Sequence, residues 1–227
     1  MLRKKALLGT ITAVVVLLAA TVAVAANFVG TPGPDTINGT PGADNIKGLG
    51  GDDTLNGLGG KDVINGGSDD DIVNGDGTCP PSGVPYCIAG APGGDRILGG
   101  SGDDTLSGNA GNDRASGQSG DDRVRGGTGS DRLTGGGGSD SVSGGSGKDT
   151  LAGGGGDDTL RGQGGKDKIS GGSGRDVISG GAGNDTITAR DGKRDRISCG
   201  SGNDKVTADK RDRVAKNCER VSRNQKK

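Results

Sequence analysis

An aspartate recurs at every ninth position along most of this 227-residue chain. From Asp95 the steps land on Asp104, Asp113, Asp122, Asp131, Asp140, Asp149, Asp158, Asp167, Asp176 and Asp185. An earlier run holds Asp35, Asp44, Asp53, Asp62 and Asp71, and after a ten-residue step to Asp195 the series reaches Asp204 and then Asp212. Of 29 acidic residues only Glu219 is a glutamate, whereas a solvated acidic face would mix the two. Short carboxylates repeated beside glycines are hard oxygen donors that stay close to the backbone, and such donors suit a hard cation. The chain has no histidine, so Zn²⁺ lacks its preferred nitrogen ligands, and general-base or nucleophilic catalysis lacks its commonest agent.

The residues around each aspartate say what must position it. Two places after nearly every one stands an aliphatic residue: Ile37, Ile46, Leu55, Ile64, Val73, Ile97, Leu106, Val124, Leu133, Val142, Leu151, Leu160, Ile169, Ile178 and Ile187, with Ala115 the weak member. Two places before stands glycine, except at Asp71, where Asp69 fills the slot, and at the late members Asp195 and Asp212, where Lys193 and Lys210 do. The unit reads G-G-x-G-x-D-x-U-x, with U aliphatic, as in GGSGKDTLA (144–152) and GGSGRDVIS (171–179). The x-U-x triplet is a short strand with U inward, and the six residues before it form a glycine-dependent turn. Two units make a coil of eighteen residues, and stacked coils place parallel strands about 4.8 Å apart. Asp104, Asp122, Asp140, Asp158 and Asp176 then line one edge, and Asp95, Asp113, Asp131, Asp149, Asp167 and Asp185 the other. Carboxylates so close repel unless a cation separates them. Ca²⁺, with six to eight oxygens from carboxylates and carbonyls, fits better than Mg²⁺, which demands tighter geometry.

This nonapeptide, held in phase over roughly residues 30–207, resembles the RTX, or haemolysin-type, calcium-binding repeats. The resemblance implies an all-β fold: a parallel β-roll, a solenoid akin to the β-helix, binding several Ca²⁺ ions between stacked Gly/Asp turns. The metal ligands it implies are Asp35, Asp44, Asp53, Asp62, Asp71, Asp95, Asp104, Asp113, Asp122, Asp131, Asp140, Asp149, Asp158, Asp167, Asp176, Asp185 and Asp204. One aliphatic residue in nine is little burial to set against ordering a glycine-rich backbone, so the metal-free chain is expected to be largely unfolded. A disordered Gly-rich spacer is the alternative that composition alone would give, with 52 glycines, one Phe, one Tyr and no Trp. The formal net charge of −1 favours neither nucleic acid nor membrane.

The ends and interruptions add an address and an outline. Arg3, Lys4 and Lys5, the apolar run from Ala6 to about Ala25, and Ala23-Val24-Ala25 read as a secretory signal peptide over 1–25, with secretion as the expected localisation. Four cysteines outside the cytoplasm are expected as disulfides. Three pairings are open, and neighbours in sequence, Cys79 with Cys87 and Cys199 with Cys218, are the simplest. The roll is expected over 26–198, with an enlarged turn at 75–89 that keeps Ile88 in register nine before Ile97 and puts Tyr86 in an Asp slot, so that no calcium site is expected there unless Asp76 substitutes. Residues 199–227 are expected as a disulfide-tied cap and basic tail.

The leading reading is a secreted calcium-binding repeat protein with a structural or interaction role. An adhesion module for cell surface or extracellular polysaccharide is the alternative, and an enzyme is not expected. The frame also separates neighbouring acids. Asp104 is in the ligand register, and Asp103 is in a slot that elsewhere holds Asn112, Ser130, Lys148 or Arg175, so Asp103 is expected to face solvent and contribute little.

Overall fold

The computed structural model describes residues 25–75 and 93–223, and no helix occurs among them. The strands, in chain order, are β1 (Asn27–Val29), β2 (Thr36–Asn38), β3 (Asn45–Gly50), β4 (Thr54–Asn56), β5 (Val63–Ser68), β6 (Ile72–Asn74) and β7 (Arg96–Ser101). They continue as β8 (Thr105–Ala110), β9 (Arg114–Ser119), β10 (Arg123–Thr128), β11 (Arg132–Gly137), β12 (Ser141–Gly147), β13 (Thr150–Gly155) and β14 (Thr159–Gly165). The last are β15 (Lys168–Ser173), β16 (Val177–Ala182), β17 (Thr186–Ala189), β18 (Arg196–Ser201), β19 (Lys205–Ala208), β20 (Arg213–Val214) and β21 (Arg220–Arg223).

Odd-numbered strands form one sheet and even-numbered strands the other. Every pairing is parallel at a spacing of two strands, as in Val124 between Leu106 and Val142. Eighteen residues therefore make one coil, and the glycine-rich sequence forms a β-roll rather than a disordered spacer.

The core is a double file of the aliphatic U residues, one from each strand, from Ile46 to Val206. Ala115 keeps its place in the file. At the two ends Phe28, Ile37 and Val214 are only partly covered, because among the described residues no further coil lies beyond them. The turns need their glycines for two different reasons. Gly145 and Gly147 adopt φ of 115° and 137°, where a β-carbon is strained. Gly144 does not, but a β-carbon there would collide with Asp149 Oδ2.

The interruption is resolved differently from the expectation. Ile64 pairs with Ile97 and Val73 with Leu106, each pair 33 residues apart rather than 18. The fifteen extra residues are an excursion, and β7 stacks directly on β5. β7 pairs with β5 on one side and β9 on the other, and Ile88 lies outside the described residues. Residues 76–92 themselves, with Asp76, Tyr86 and the expected Cys79–Cys87 pair, lie outside the described residues.

Neither sheet breaks at residue 198: β19 pairs with both β17 and β21, and β18 with β20. Cys199 and Cys218 form a disulfide across these last coils, with Cα atoms 5.2 Å apart.

Candidate metal centre

Each aspartate precedes a strand, so its backbone is fixed by the sheet beside it. The carbonyl of Asp104 accepts the N–H of Arg123 at 2.8 Å. Its own N–H donates to Asp122 Oδ1 at 2.9 Å, and its Oδ1 accepts the N–H of Asp71 at 2.8 Å. This link repeats from coil to coil, giving two continuous carboxylate ladders. One runs Asp35, Asp53, Asp71, Asp104, Asp122, Asp140, Asp158, Asp176, Asp195, Asp212. The other runs Asp44, Asp62, Asp95, Asp113, Asp131, Asp149, Asp167, Asp185, Asp204. Both pass straight across the 76–92 excursion. Stacked aspartates thus meet through a backbone N–H rather than carboxylate to carboxylate, and one oxygen of each is committed to holding the next coil.

The second oxygen is a different matter. Oδ2 of Asp53, Asp71, Asp104, Asp122, Asp131, Asp140, Asp149, Asp158, Asp167, Asp176, Asp185 and Asp204 is buried with no hydrogen-bond donor. A buried carboxylate oxygen without a partner is costly. Beside it lies a cradle. A β-carbon on Gly99 would strike both Asp104 Oδ2 and the carbonyl oxygen of Gly117, and Gly153 stands likewise to Asp158 Oδ2 and the Gly171 carbonyl. Burial pushes the carboxyls up from the usual range of aspartate: Asp104 and Asp158 to about 7, and Asp71, Asp122 and Asp149 to about 6. Neighbouring aspartates on the ladder and the turns add to that rise, and the backbone N–H bond opposes it.

These residues fit a hard cation. They offer anionic oxygens and carbonyls in a space that glycine keeps open, and desolvated charge that a cation would offset. No three acidic or sulfur side chains converge on one point among the described residues, so carbonyls must complete any coordination shell.

The two ends of the roll depart from this pattern. Asp35 Oδ2 accepts the N–H and hydroxyl of Thr31, and Asp44 Oδ2 those of Thr40. The sequence shows why: GTPG replaces GGxG at 30–33 and 39–42. At the other end the glycine two places after U becomes Ala189, Cys199 and Ala208, all buried. Asp212 Oδ2 also accepts the N–H of Asp209 at 2.6 Å. Asp35, Asp44 and Asp204 were expected as metal ligands on period alone. The structure puts all three in the ladders, gives Asp35 and Asp44 internal partners, and leaves Asp204 Oδ2 buried without a donor like the interior members.

Three ladder members lie beyond that expected set: Asp195, Asp212 and Glu219, whose Oε2 accepts the Asp204 N–H at 2.8 Å. Ile197 and Val214, two places after the aspartates, were the available signal for the first two. Asp103 is exposed as expected, yet it is not idle. Its N–H donates to Asp70 Oδ1 at 2.8 Å, and its Oδ1 accepts the Asp121 N–H at 2.7 Å. An outer ladder thus runs beside the inner one wherever Asp or Asn fills that slot, as it does from Asn112 to Ser130. Asp69 keeps its turn at a φ of 76° and accepts the Gly51 N–H at 2.9 Å.

Comparison with known sequences agrees with the geometry. No curated protein matches the chain. Residues 29–64, 48–77, 89–124, 116–151, 143–178, 152–187 and 161–194, together more than half of the sequence, match the RTX calcium-binding nonapeptide repeat in its four-copy form. The repeats that build this roll are of the calcium-binding type, and the chain belongs to the RTX calcium-binding nonapeptide repeat family.

Proposed function

We propose that this is a secreted protein whose roll folds as Ca²⁺ enters its interior rungs, and that the folded roll serves as a scaffold or interaction module rather than as a catalyst. The observation that carries the reading is the column of buried Oδ2 atoms without donors. Bound Ca²⁺ would supply positive charge to carboxylates that the fold has already stripped of water. Asp53, Asp71, Asp104, Asp122, Asp140, Asp158 and Asp176 on one edge, and Asp131, Asp149, Asp167 and Asp185 on the other, would hold it together with glycine carbonyls. In the metal-free chain the same aspartates repel one another across the coils and the thin aliphatic file cannot compensate, which is why folding and loading would be one event. The signal-like segment over 1–25 and the Cys199–Cys218 disulfide support an oxidising destination.

Far-ultraviolet circular dichroism during a Ca²⁺ titration of the full chain tests this. The expected result is a cooperative gain of β-signal that a chelator reverses and equal Mg²⁺ does not reproduce. A coil spectrum unchanged at millimolar Ca²⁺ would sink it.

A further inference from the structure

We infer that the outward face of the odd-numbered sheet docks an extended anionic polysaccharide, and that it does so in the calcium-loaded state, so this inference rests on the reading above. The first support is how the fold sorts charge. Nineteen of the 29 acidic residues are buried aspartates, leaving at most ten acids for the surface against 25 lysines and arginines once Arg3, Lys4 and Lys5 of the signal-like segment are set aside. The formal charge of −1 therefore hides an acidic interior and a basic exterior, and cations entering the interior leave the whole rod strongly positive.

The second support is where the bases stand. Arg96, Arg114 and Arg132 occupy the same register position on consecutive coils, and Lys168, Lys205 and Arg220 continue their column beyond Thr150 and Thr186. No strand of this sheet contains an acidic residue. The even-numbered strands are likewise free of acids, but their bases form no comparable run: Arg123 is flanked by Thr105 and Ser141, and Arg196 is followed in its column by Arg213 alone. A shallow concavity of about 220 Å³ opens among Asn112, Arg114, Ser130, Arg132, Lys148 and Thr150. Behind it lie the buried Asp113 and Asp131. An anion in that hollow is opposed by the ladder's negative charge until a cation offsets it, which couples docking to loading.

The third support narrows the partner. Recognition of unpaired nucleic acid leans on aromatic stacking platforms, and this chain has no Trp. Its one Phe, Phe28, packs against the core, and its one Tyr lies in the 76–92 excursion. A straight row of cations without a stacking surface suits a straight chain that carries its charge along its length, which is the chemistry of sulfated or uronate glycans.

The test uses the Ca²⁺-loaded full chain, with fluorescently labelled heparin as a linear sulfated glycan, dextran as a neutral one and single-stranded oligothymidine as a nucleic acid. Two triple variants remove equal charge: Arg96→Gln/Arg114→Gln/Arg132→Gln on the odd-numbered sheet, and Arg123→Gln/Arg125→Gln/Arg161→Gln on the even-numbered one. Heparin should bind in Ca²⁺, dextran should not, and the odd-sheet variant alone should lose about tenfold in affinity, with binding weakening steeply as salt rises. Circular dichroism reads folding in parallel. A chain that folds with Ca²⁺ yet ignores heparin overturns this inference and spares the calcium reading, whereas a chain that stays coil in Ca²⁺ overturns the calcium reading itself. Equal loss in both variants, oligothymidine binding as tight as heparin, or undiminished heparin binding in chelator would each overturn the docking face.

Discussion

The backbone N–H of Asp104 donates to Asp122 Oδ1 at 2.9 Å, while Asp122 Oδ2 has no donor at all. One carboxylate thus splits its work between holding the neighbouring coil and presenting a bare oxygen, and asparagine separates the two tasks. Asp122→Asn keeps an acceptor for the Asp104 N–H but replaces an anionic oxygen with an amide. In chelator the variant should be at least as ordered as wild type, since a buried charge is gone. In calcium it should need several-fold more Ca²⁺ to fold. Asp122→Ala should weaken both conditions. Circular dichroism with and without chelator distinguishes these outcomes, and an Asn variant that needs no more Ca²⁺ than wild type while the Ala variant fails would assign Asp122 a purely structural role.

The outer ladder sets the contrast. Asp103→Ala removes the acceptor for Asp121 N–H on an exposed turn, so it should cost about 0.5–1 kcal/mol and leave the Ca²⁺ midpoint nearly unchanged. Thermal melts in saturating Ca²⁺ check the first expectation and a titration the second. A shift in midpoint as large as that of Asp122→Asn would mean that the outer ladder also binds metal.

Protonation can do part of what a cation does. Burial raises Asp104 and Asp158 to about 7, and Asp71, Asp122, Asp149 and Asp195 to about 6, from an ordinary value of 3.8. Between these values and 3.8 the folded state holds protons that the unfolded chain has released. Stability without metal must therefore fall as pH rises through that window, and recover as pH drops from about 7 toward 4. In chelator, the β-signal should be stronger at pH 5 than at pH 7.5. With Ca²⁺ present the midpoint should move the other way, to higher Ca²⁺ at pH 5.5, because protons and cation compete for the same oxygens. A pH-independent spectrum in chelator would contradict the burial of these groups.

The N-terminal end of the roll should be indifferent to metal. Thr40 already donates its N–H and hydroxyl to Asp44 Oδ2, and Thr31 does the same for Asp35. Asp44→Asn should leave the number of Ca²⁺ ions bound at saturation unchanged, whereas Asp149→Asn should lower it. Equilibrium dialysis gives the count. A lower count for Asp44→Asn would show that the Thr-Pro-Gly turn rearranges to admit a cation.

The sequence carried the coil, the inward file and both ladders because each depends on residue type at a fixed interval, which a nine-residue period displays directly. Ile97 and Leu106 fell in register for that reason. The size of the interruption was not legible: the period alone cannot say which rungs meet across it, and the pairing of Ile64 with Ile97 shows 33 residues between rungs that across most of the roll are 18 apart. The capped ends were written in the sequence too, as Thr31, Thr40, Ala189 and Cys199 in glycine slots, but their meaning depends on which atom fills the cradle. The charge sorting was hidden for a similar reason. A formal sum of −1 cannot say that the aspartates point in while Arg96, Arg114 and Arg132 point out.

Gln118 marks a place where the repeat works against itself. It occupies the second glycine slot of its unit at a φ of 89°, a conformation that disfavours a β-carbon, and its side chain is exposed. Gly136 and Gly100, its partners on the adjacent coils, keep the slot as glycine at φ of 136° and 133°. Gln118→Gly should relieve the strain and, after the added flexibility of the unfolded chain is set against it, stabilise the calcium-loaded roll by about 0.5–1 kcal/mol. Gly145→Ala, at a φ of 115° with the Gly127 carbonyl in the path of any β-carbon, should destabilise it by more than that. Thermal unfolding in saturating Ca²⁺ compares the two. If Gln118→Gly lowers the midpoint while Gly145→Ala spares it, backbone conformation is not what these slots select for.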